Sequence, residues 1–241
     1  MKRQVSLEEI SDGRLYDSND MVKAGCGDCA GCSACCRGVG NTIILDPYDG
    51  FRLCGGLNKS FEELLAGAVE LNMVDGTILP NLKMAGEQES CTFLDEAGRC
   101  SVHAYRPGIC RLFPLGRYYE NGGFQYFLQV NECRKENRTK VKVHKWLDTP
   151  DLKRYETYIT NWHYFIEGIQ QRIQGHVPGT MAEERTGTGD ELPEETAAQR
   201  EAFARNANLY ILKLFYLTPY RQEEDFYPQF YERLRMAKKA L

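Results

Sequence analysis

Four thiols recur at every third residue in Cys26-Gly-Asp-Cys29-Ala-Gly-Cys32-Ser-Ala-Cys35-Cys36, and a fifth adjoins the last. Packing alone does not call for such density, whereas metal coordination does. A Cys-x-x-Cys pair places two sulfurs in one coordination sphere, and its intervening residues form a turn whose amides hydrogen-bond to the bound thiolates. Adjacent Cys35 and Cys36 are expected to point their side chains apart, so that they serve different metals or leave one thiolate outside a shared centre. A second group, Cys91, Cys100 and Cys110, is separated by eight and nine residues, with Gly98 and Pro107 supplying turns on either side of Cys100. Separate loops must meet to complete a coordination shell, so the two groups are expected to converge.

All ten cysteines fall between Cys26 and Cys133, and the last 108 residues contain none. A chain of 241 residues does not need disulfides to compensate for a small core, and a reducing cytosol would not maintain them. The thiols therefore read as metal ligands. Thiol–disulfide chemistry would need one exposed pair of low pKa and would leave the other eight cysteines unexplained. Four thiolates around zinc, or around an oxidised four-iron cluster, carry a charge of about −2, which nearby cations would offset. Arg37, Arg99, Arg106 and Arg111 each lie within three or four residues of a cysteine. Of these, Arg106 and Arg111 are the candidates for holding a cofactor or anionic substrate, since a guanidinium donates several hydrogen bonds. His103 follows Cys100 by three residues, a spacing that permits a mixed sulfur and nitrogen site, but a hydrogen-bonded structural role is favoured.

The motif Cys29, Cys32, Cys35, Cys36 resembles the signature of the YkgJ-like cysteine-cluster family, described as zinc- or iron-chelating. The family's second signature is similar to Cys91-Thr-Phe-Leu94, Cys100-Ser-Val-His103, Arg106-Pro107, Cys110-Arg111 and Phe113-Pro114 here, with His103 where the family often has Tyr. The resemblance covers residues 25 to 135 and implies a metal held by most of Cys29, Cys32, Cys35, Cys36, Cys91, Cys100, Cys110 and Cys133. It also takes in flagellin lysine N-methylases, associated with an iron–sulfur centre and S-adenosylmethionine. No strand-to-helix Gly-x-Gly-x-x-Gly fingerprint marks a methyl-donor pocket in this chain.

The elements that must position these thiols read as an α+β fold. A Cys-rich metal-binding domain with short strands and a hairpin, residues 1–150, is followed by a helical C-terminal region, 151–241. Asn41–Leu45 reads as a strand ended by Asp46-Pro47, and Ser60 with Glu63 fits a capping box for a helix whose apolar spacing runs from Phe61 to Leu71. Two aromatic-rich runs around Asn121-Gly122-Gly123 predict a hairpin over 115–130. With Thr149 as cap and Pro150 at the first helical position, Leu152, Tyr155, Tyr158, Ile159, Trp162, Phe165, Ile166 and Ile169 form one apolar helical face. Residues 175–196 are polar and acidic, the composition of a flexible linker. Two further helical segments carry Phe203 to Phe215 and Phe226, Phe230 and Leu234.

The formal charge of −4 argues against a protein built to coat nucleic acid, and no window approaches eighteen apolar residues, so a cytoplasmic protein is expected. Arg134 to Lys145 holds six Lys or Arg against one Glu, a run that grips phosphates or an acidic partner, although a solvated face is the plainer reading. The functional expectation is a metal-chelating cysteine-cluster protein, with iron–sulfur or iron narrowly ahead of zinc and with redox or methyl-transfer activity as the enzymatic version. The alternative is a zinc-stapled module that docks a protein partner without catalysis.

Overall fold

The computed structural model describes residues 6–27, 32–175 and 196–241. Cys29 and the interior of the expected acidic linker lie outside the described residues. In chain order the elements are α1 (Leu7–Ile10), β1 (Ser11–Tyr16), β2 (Met21–Gly25), α2 (Pro47–Leu57), α3 (Phe61–Leu65), β3 (Val69–Val74), β4 (Thr77–Leu82), β5 (Met84–Ala85), β6 (Ser90–Cys91), α4 (Gly108–Leu112), β7 (Leu115–Glu120), β8 (Gly123–Gln129), β9 (Thr139–Lys142), α5 (Val143–Leu147), α6 (Leu152–Ile173), α7 (Ala197–Leu212) and α8 (Phe226–Ala240). The fold is α+β, with small antiparallel sheets in the first two thirds and long helices after them.

The expected hairpin is β7–β8, paired from Leu115 with Leu128 to Glu120 with Gly123. Its turn residues Asn121 and Gly122 sit at φ 51° and 76°, the left-handed values a two-residue turn needs. Strand β1 completes this sheet at the free edge of β8, while β2 and β9 form a separate ribbon. A second core, built from Val22, Ala24, Leu112, Leu115, Tyr126, Leu128, Val143 and Leu147, lies under these strands.

Several sequence readings need correction. Asn41–Leu45 is not a strand of the sheets. Ile44 makes one isolated bridge to Asn81, and Leu45 N donates to Pro80 O at 2.8 Å. Pro80 has no N–H to return, so no continuous ladder forms there. The helix after Ser60 keeps its capping box but stops at Leu65, and Leu71 belongs instead to β3, paired with Pro80 of β4. Pairing across the Asp75-Gly76 turn outweighs the helical spacing. Thr149 does not cap α6. Its hydroxyl donates to Leu147 O at 3.1 Å, and Asp151, at φ 44°, occupies the capping position.

The principal core crosses residue 150. It joins Leu45, Leu53, Phe61, Val69 and Leu79 to the buried stripe of α6 and to Ile211, Phe215, Phe226 and Phe230. The stripe of α6 contains the expected Tyr155, Tyr158, Ile159, Trp162, Phe165, Ile166 and Ile169, all buried, which is what i, i+3, i+4 spacing places on one face. Specific hydrogen bonds fix the layers against one another. Tyr216 donates to Leu45 O at 2.8 Å, and Asn208 of α7 bonds both Ile78 N and Gly76 O across the β3–β4 turn. Among the described residues no helix is long and apolar enough to cross a membrane.

Phe230 is fully buried and meets Tyr158 edge-on, with ring centroids 4.6 Å apart. Phe230→Ala is expected to cost about 3–5 kcal/mol, measured as a lower denaturant midpoint for the whole chain.

Candidate metal centre

Cys35 and Cys36 lie in a one-turn 3₁₀ segment, Ala34–Cys36, and the residue after them fastens this loop to the second cysteine segment. Arg37 bridges Ser90 in antiparallel fashion, and Gly38 N donates to Glu89 O at 3.0 Å. The Arg37 guanidinium donates to Gln88 Oε1, Ser90 Oγ and Ser33 Oγ. This arginine therefore works as a brace between the two thiol groups, drawing Cys36 alongside β6, which ends in Cys91.

Beyond Cys91 the chain folds back at Gly98, φ 72°, so that Leu94 bridges Cys100 and Ser101 N donates to Phe93 O at 2.8 Å. Cys110 rides on α4, whose start is hooked to the core by Gly108 N donating to Asp49 Oδ1 at 2.7 Å. A side chain on Gly108 would run into the Tyr155 hydroxyl, so glycine is required for this approach. Asp49 belongs to a capping box with Asp46 at the head of α2. Burial pushes the carboxyls of both upward, Asp49 further because of the Asp46 charge, while the Arg117 guanidinium pulls both down.

The thiols of the two groups act on one another. Cys36 hydrogen-bonds to Cys35 and, with burial and the Cys36 charge, pushes the Cys35 thiol up, while Arg106 pulls it down. Burial pushes Cys91 up, as do the Cys100 and Cys35 charges, and the N–H of Phe93 opposes them. Burial likewise raises Cys100 against the N–H of Val102 and the charge of Arg106, with Cys35 adding to the rise. Cys110 is driven well up by burial and then by Asp49, Cys91, Cys100 and Cys35.

A second grouping faces another way. Cys26, Cys32, Cys35 and Cys133 line a cavity of about 20 Å³ walled by Phe113, Pro114 and Trp146. That volume holds about one water-sized sphere. Trp146 Nε1 is fixed by Leu112 O and Phe113 O at 3.3 and 3.2 Å. Cys32, Cys35, Cys36, Cys54, Cys91, Cys100, Cys110 and Cys133 carry no disulfide. As placed, no three Cys, His, Asp or Glu side chains among the described residues already form a metal-holding group, and Cys29 lies outside them.

Of the two candidate arginines, Arg106 approaches the thiols. Its charge acts on Cys35 and Cys100, its Nη1 lies 2.7 Å from His103 Nε2, and its buried Nε has no partner. Arg111 is buried and donates to Asp148 O and Ala104 O, which ties α4 to the corner before α6. His103 is hydrogen-bonded, the role favoured by the sequence. Arg37 and Asp49 are the positioning residues that sequence reasoning missed. Only the proximity of Arg37 to Cys36 was visible there, and no local signal ties Asp49 to Gly108.

Residues 28–142 match the model of the CxxCxxCC family, described as "Putative zinc- or iron-chelating domain". This segment is a cysteine-cluster domain of that family. It begins before Cys29 and ends after Cys133, so it takes in every cysteine except Cys26 and leaves α1, β1, β2 and all the helices from α5 onward outside. No curated protein and no solved structure matches the chain. That description makes zinc or iron chelation the family's property, and thiols are donors chemically suited to either metal.

Cys54 stands outside the motif on α2, and burial with the nearby Glu62 and Glu63 charges pushes its thiol from 9.0 up to about 11. A thiol held protonated in the fold adds stability below pH 9, and this contribution is lost as pH rises from 9.0 through about 11. The melting temperature of Cys54→Ala is expected to fall less over that interval than that of the parent chain, as read by calorimetry.

Proposed function

We propose that the cysteine-cluster domain holds a thiolate metal centre formed around Cys35, Cys91, Cys100 and Cys110, with Cys36 beside it. Cys32 and Cys133 complete the ligand set on the side of the small cavity, and Cys29 joins them by its place in the motif. The reading is carried by one observation: Arg37 fastens the Cys35–Cys36 turn to the strand that ends in Cys91, and the loop beyond it folds back so that Leu94 bridges Cys100, which gathers thiols from separate stretches of sequence. Arg106 offsets the negative charge of such a centre and is the side chain best placed to meet an anionic group there.

Iron, as an iron–sulfur cluster or as single ions, is favoured narrowly over zinc by the three-residue repeat from Cys26 to Cys35 and by its small intervening residues. The catalytic extension, redox chemistry or methyl transfer from S-adenosylmethionine, rests on family resemblance alone. The zinc-stapled, partner-docking module is the second reading, supported by the fastening of the thiol loops to the principal core through Gly108 and Asp49. Unbridged thiols at this density suit a reducing compartment, so we place the protein in the cytoplasm.

Anaerobic purification from iron-replete cells, with metal analysis and a visible spectrum, tests the choice. A brown protein that bleaches in Cys100→Ser and Cys110→Ser is the expected result, and a colourless, stoichiometrically zinc-loaded chain overturns iron while leaving the centre. Metal-free protein in which both variants behave as the parent overturns the centre itself. A structural metal contributes on the order of 10 kcal/mol, so its removal is expected to speed amide exchange across 32–38 and 86–112 sharply. The aromatic core of α6 and α8 keeps its protection, because Tyr158, Phe215, Phe226 and Phe230 pack chiefly on one another, while Cys91, Cys100 and Cys110 touch that core only at its margin.

A further inference from the structure

The basic run from Arg134 to Lys145 does not lie flat on the surface. Together with β1 and β2 it walls a groove of about 670 Å³, within the roughly 300–1,000 Å³ typical of small-molecule sites. Five cations, Arg14, Lys23, Lys135, Arg138 and Lys140, line it against two carboxylates, Asp12 and Glu136. In a chain of net charge −4 this is a local inversion of sign.

The placement follows from strand alternation. Val22 and Ala24 of β2 are buried beneath the ribbon, which turns Lys23 outward, and β9 pairs Val141 with Val22 and leaves Lys140 on the same outer face. One of the two acids is already engaged, because Asp12 accepts from the Tyr16 hydroxyl and from Arg14 N. The Arg138 guanidinium brings Nη1 into a buried position with no hydrogen-bond partner. A buried, charged donor left unpaired is costly, and an anion from solution is the group that would satisfy it.

The groove adjoins the thiols. Lys135 lines both it and the cavity bearing Cys26, Cys32, Cys35 and Cys133, and Arg134 lines that cavity as well. Five cations around a volume of this size call for several negative charges on few atoms. A phosphate group supplies about −1.5 to −2 at neutral pH, with three acceptor oxygens, and a chain of them meets that demand where a carboxylic acid does not.

We propose that this groove binds a small molecule bearing two or more linked phosphates, of nucleotide size, held by Arg14, Lys23, Arg138 and Lys140 next to the metal-binding thiols. The site stands on its own residues and does not require the metal reading to be right. Inorganic triphosphate and ATP are the probes, titrated into the full metal-loaded chain by calorimetry at low and at physiological salt. Saturable one-to-one binding of either is expected, ATP tighter than triphosphate if the base and ribose are also held. Affinity should weaken at least tenfold in Arg138→Gln and in the exposed pair Lys23→Gln with Lys140→Gln, and should stay unchanged in Arg221→Gln, which pairs with Glu224 far along the chain. The surface pair guards against misfolding of the Arg138 variant. Metal content should remain at the parent level throughout, which separates this site from the thiol centre. No saturable binding of either probe, or binding indifferent to both groove variants, overturns the proposal. So does a single-stranded oligonucleotide that displaces the probe at a lower concentration than ATP, since the groove would then serve nucleic acid.

Discussion

Two carboxylates buried at the head of α2 hold the molecule's parts in register. Asp46 accepts from Asp49 N at 2.9 Å and from the Tyr158 hydroxyl of α6 at 3.0 Å, and Asp49 accepts from Asp46 N and from Gly108 N, which starts the helix of Cys110. One capping box therefore links α2, the longest helix and the second thiol group. Burying two like charges side by side is unfavourable by itself, and the structure answers it with donors and with Arg117. The Arg117 guanidinium donates to the Tyr155 hydroxyl and lies over the rings of Phe124 and Tyr155 at 5.5 Å. Burial lowers its pKa, but Tyr155, Tyr119, Tyr126 and Asp46 more than reverse the effect, so its positive charge stays in place. Removing one member strands the others, which is why such networks behave as units.

That hub explains how thiols so far apart in sequence share an environment. The 91–101 loop is short and irregular, and α4 is a single turn, so neither carries the cohesion to fix a sulfur by itself. Each is pinned from outside, the loop by Arg37 and the turn by Asp49. The pins sit on scaffold that the aromatic core holds rigid, through contacts such as Tyr48 against Phe226 at 5.0 Å. Positioning therefore runs from core to cap to thiol.

The sequence was most legible where local chemistry and tertiary demand agree. The α6 stripe, the Ser60 cap and the Asn121-Gly122 hairpin each carry a short-range signal that nothing in the fold opposes. Legibility failed where partners are distant. Strand β1 pairs with β8 and β2 with β9, more than one hundred residues away, and neither short strand has an alternation strong enough to declare itself. The β3–β4 hairpin did carry its signal, Asp75-Gly76, but the helical spacing that begins at Phe61 runs straight into it. For the site, residue types and spacing named the thiols, while the braces that gather them had no signature, because an arginine or aspartate acting on backbone is indistinguishable in sequence from one facing water.

The same long-range logic governs charge. A thiolate centre of about −2 would repel anions, yet Arg106 faces the thiols from one side while Arg134 and Lys135 approach from the other. These cations have two consequences that pull together. They lower the cost of keeping several sulfurs ionised in a partly buried place, and they extend a positive field outward into the groove of Lys23, Arg138 and Lys140. Such a field reaches roughly 8–10 Å before salt screens it, and Lys135 lines both cavities. Arg134 and Lys135 line the cavity that Cys133 lines, and Lys135 also lines the groove, so under the two proposals together one stretch of sequence would both offset the centre and admit anions to its neighbourhood.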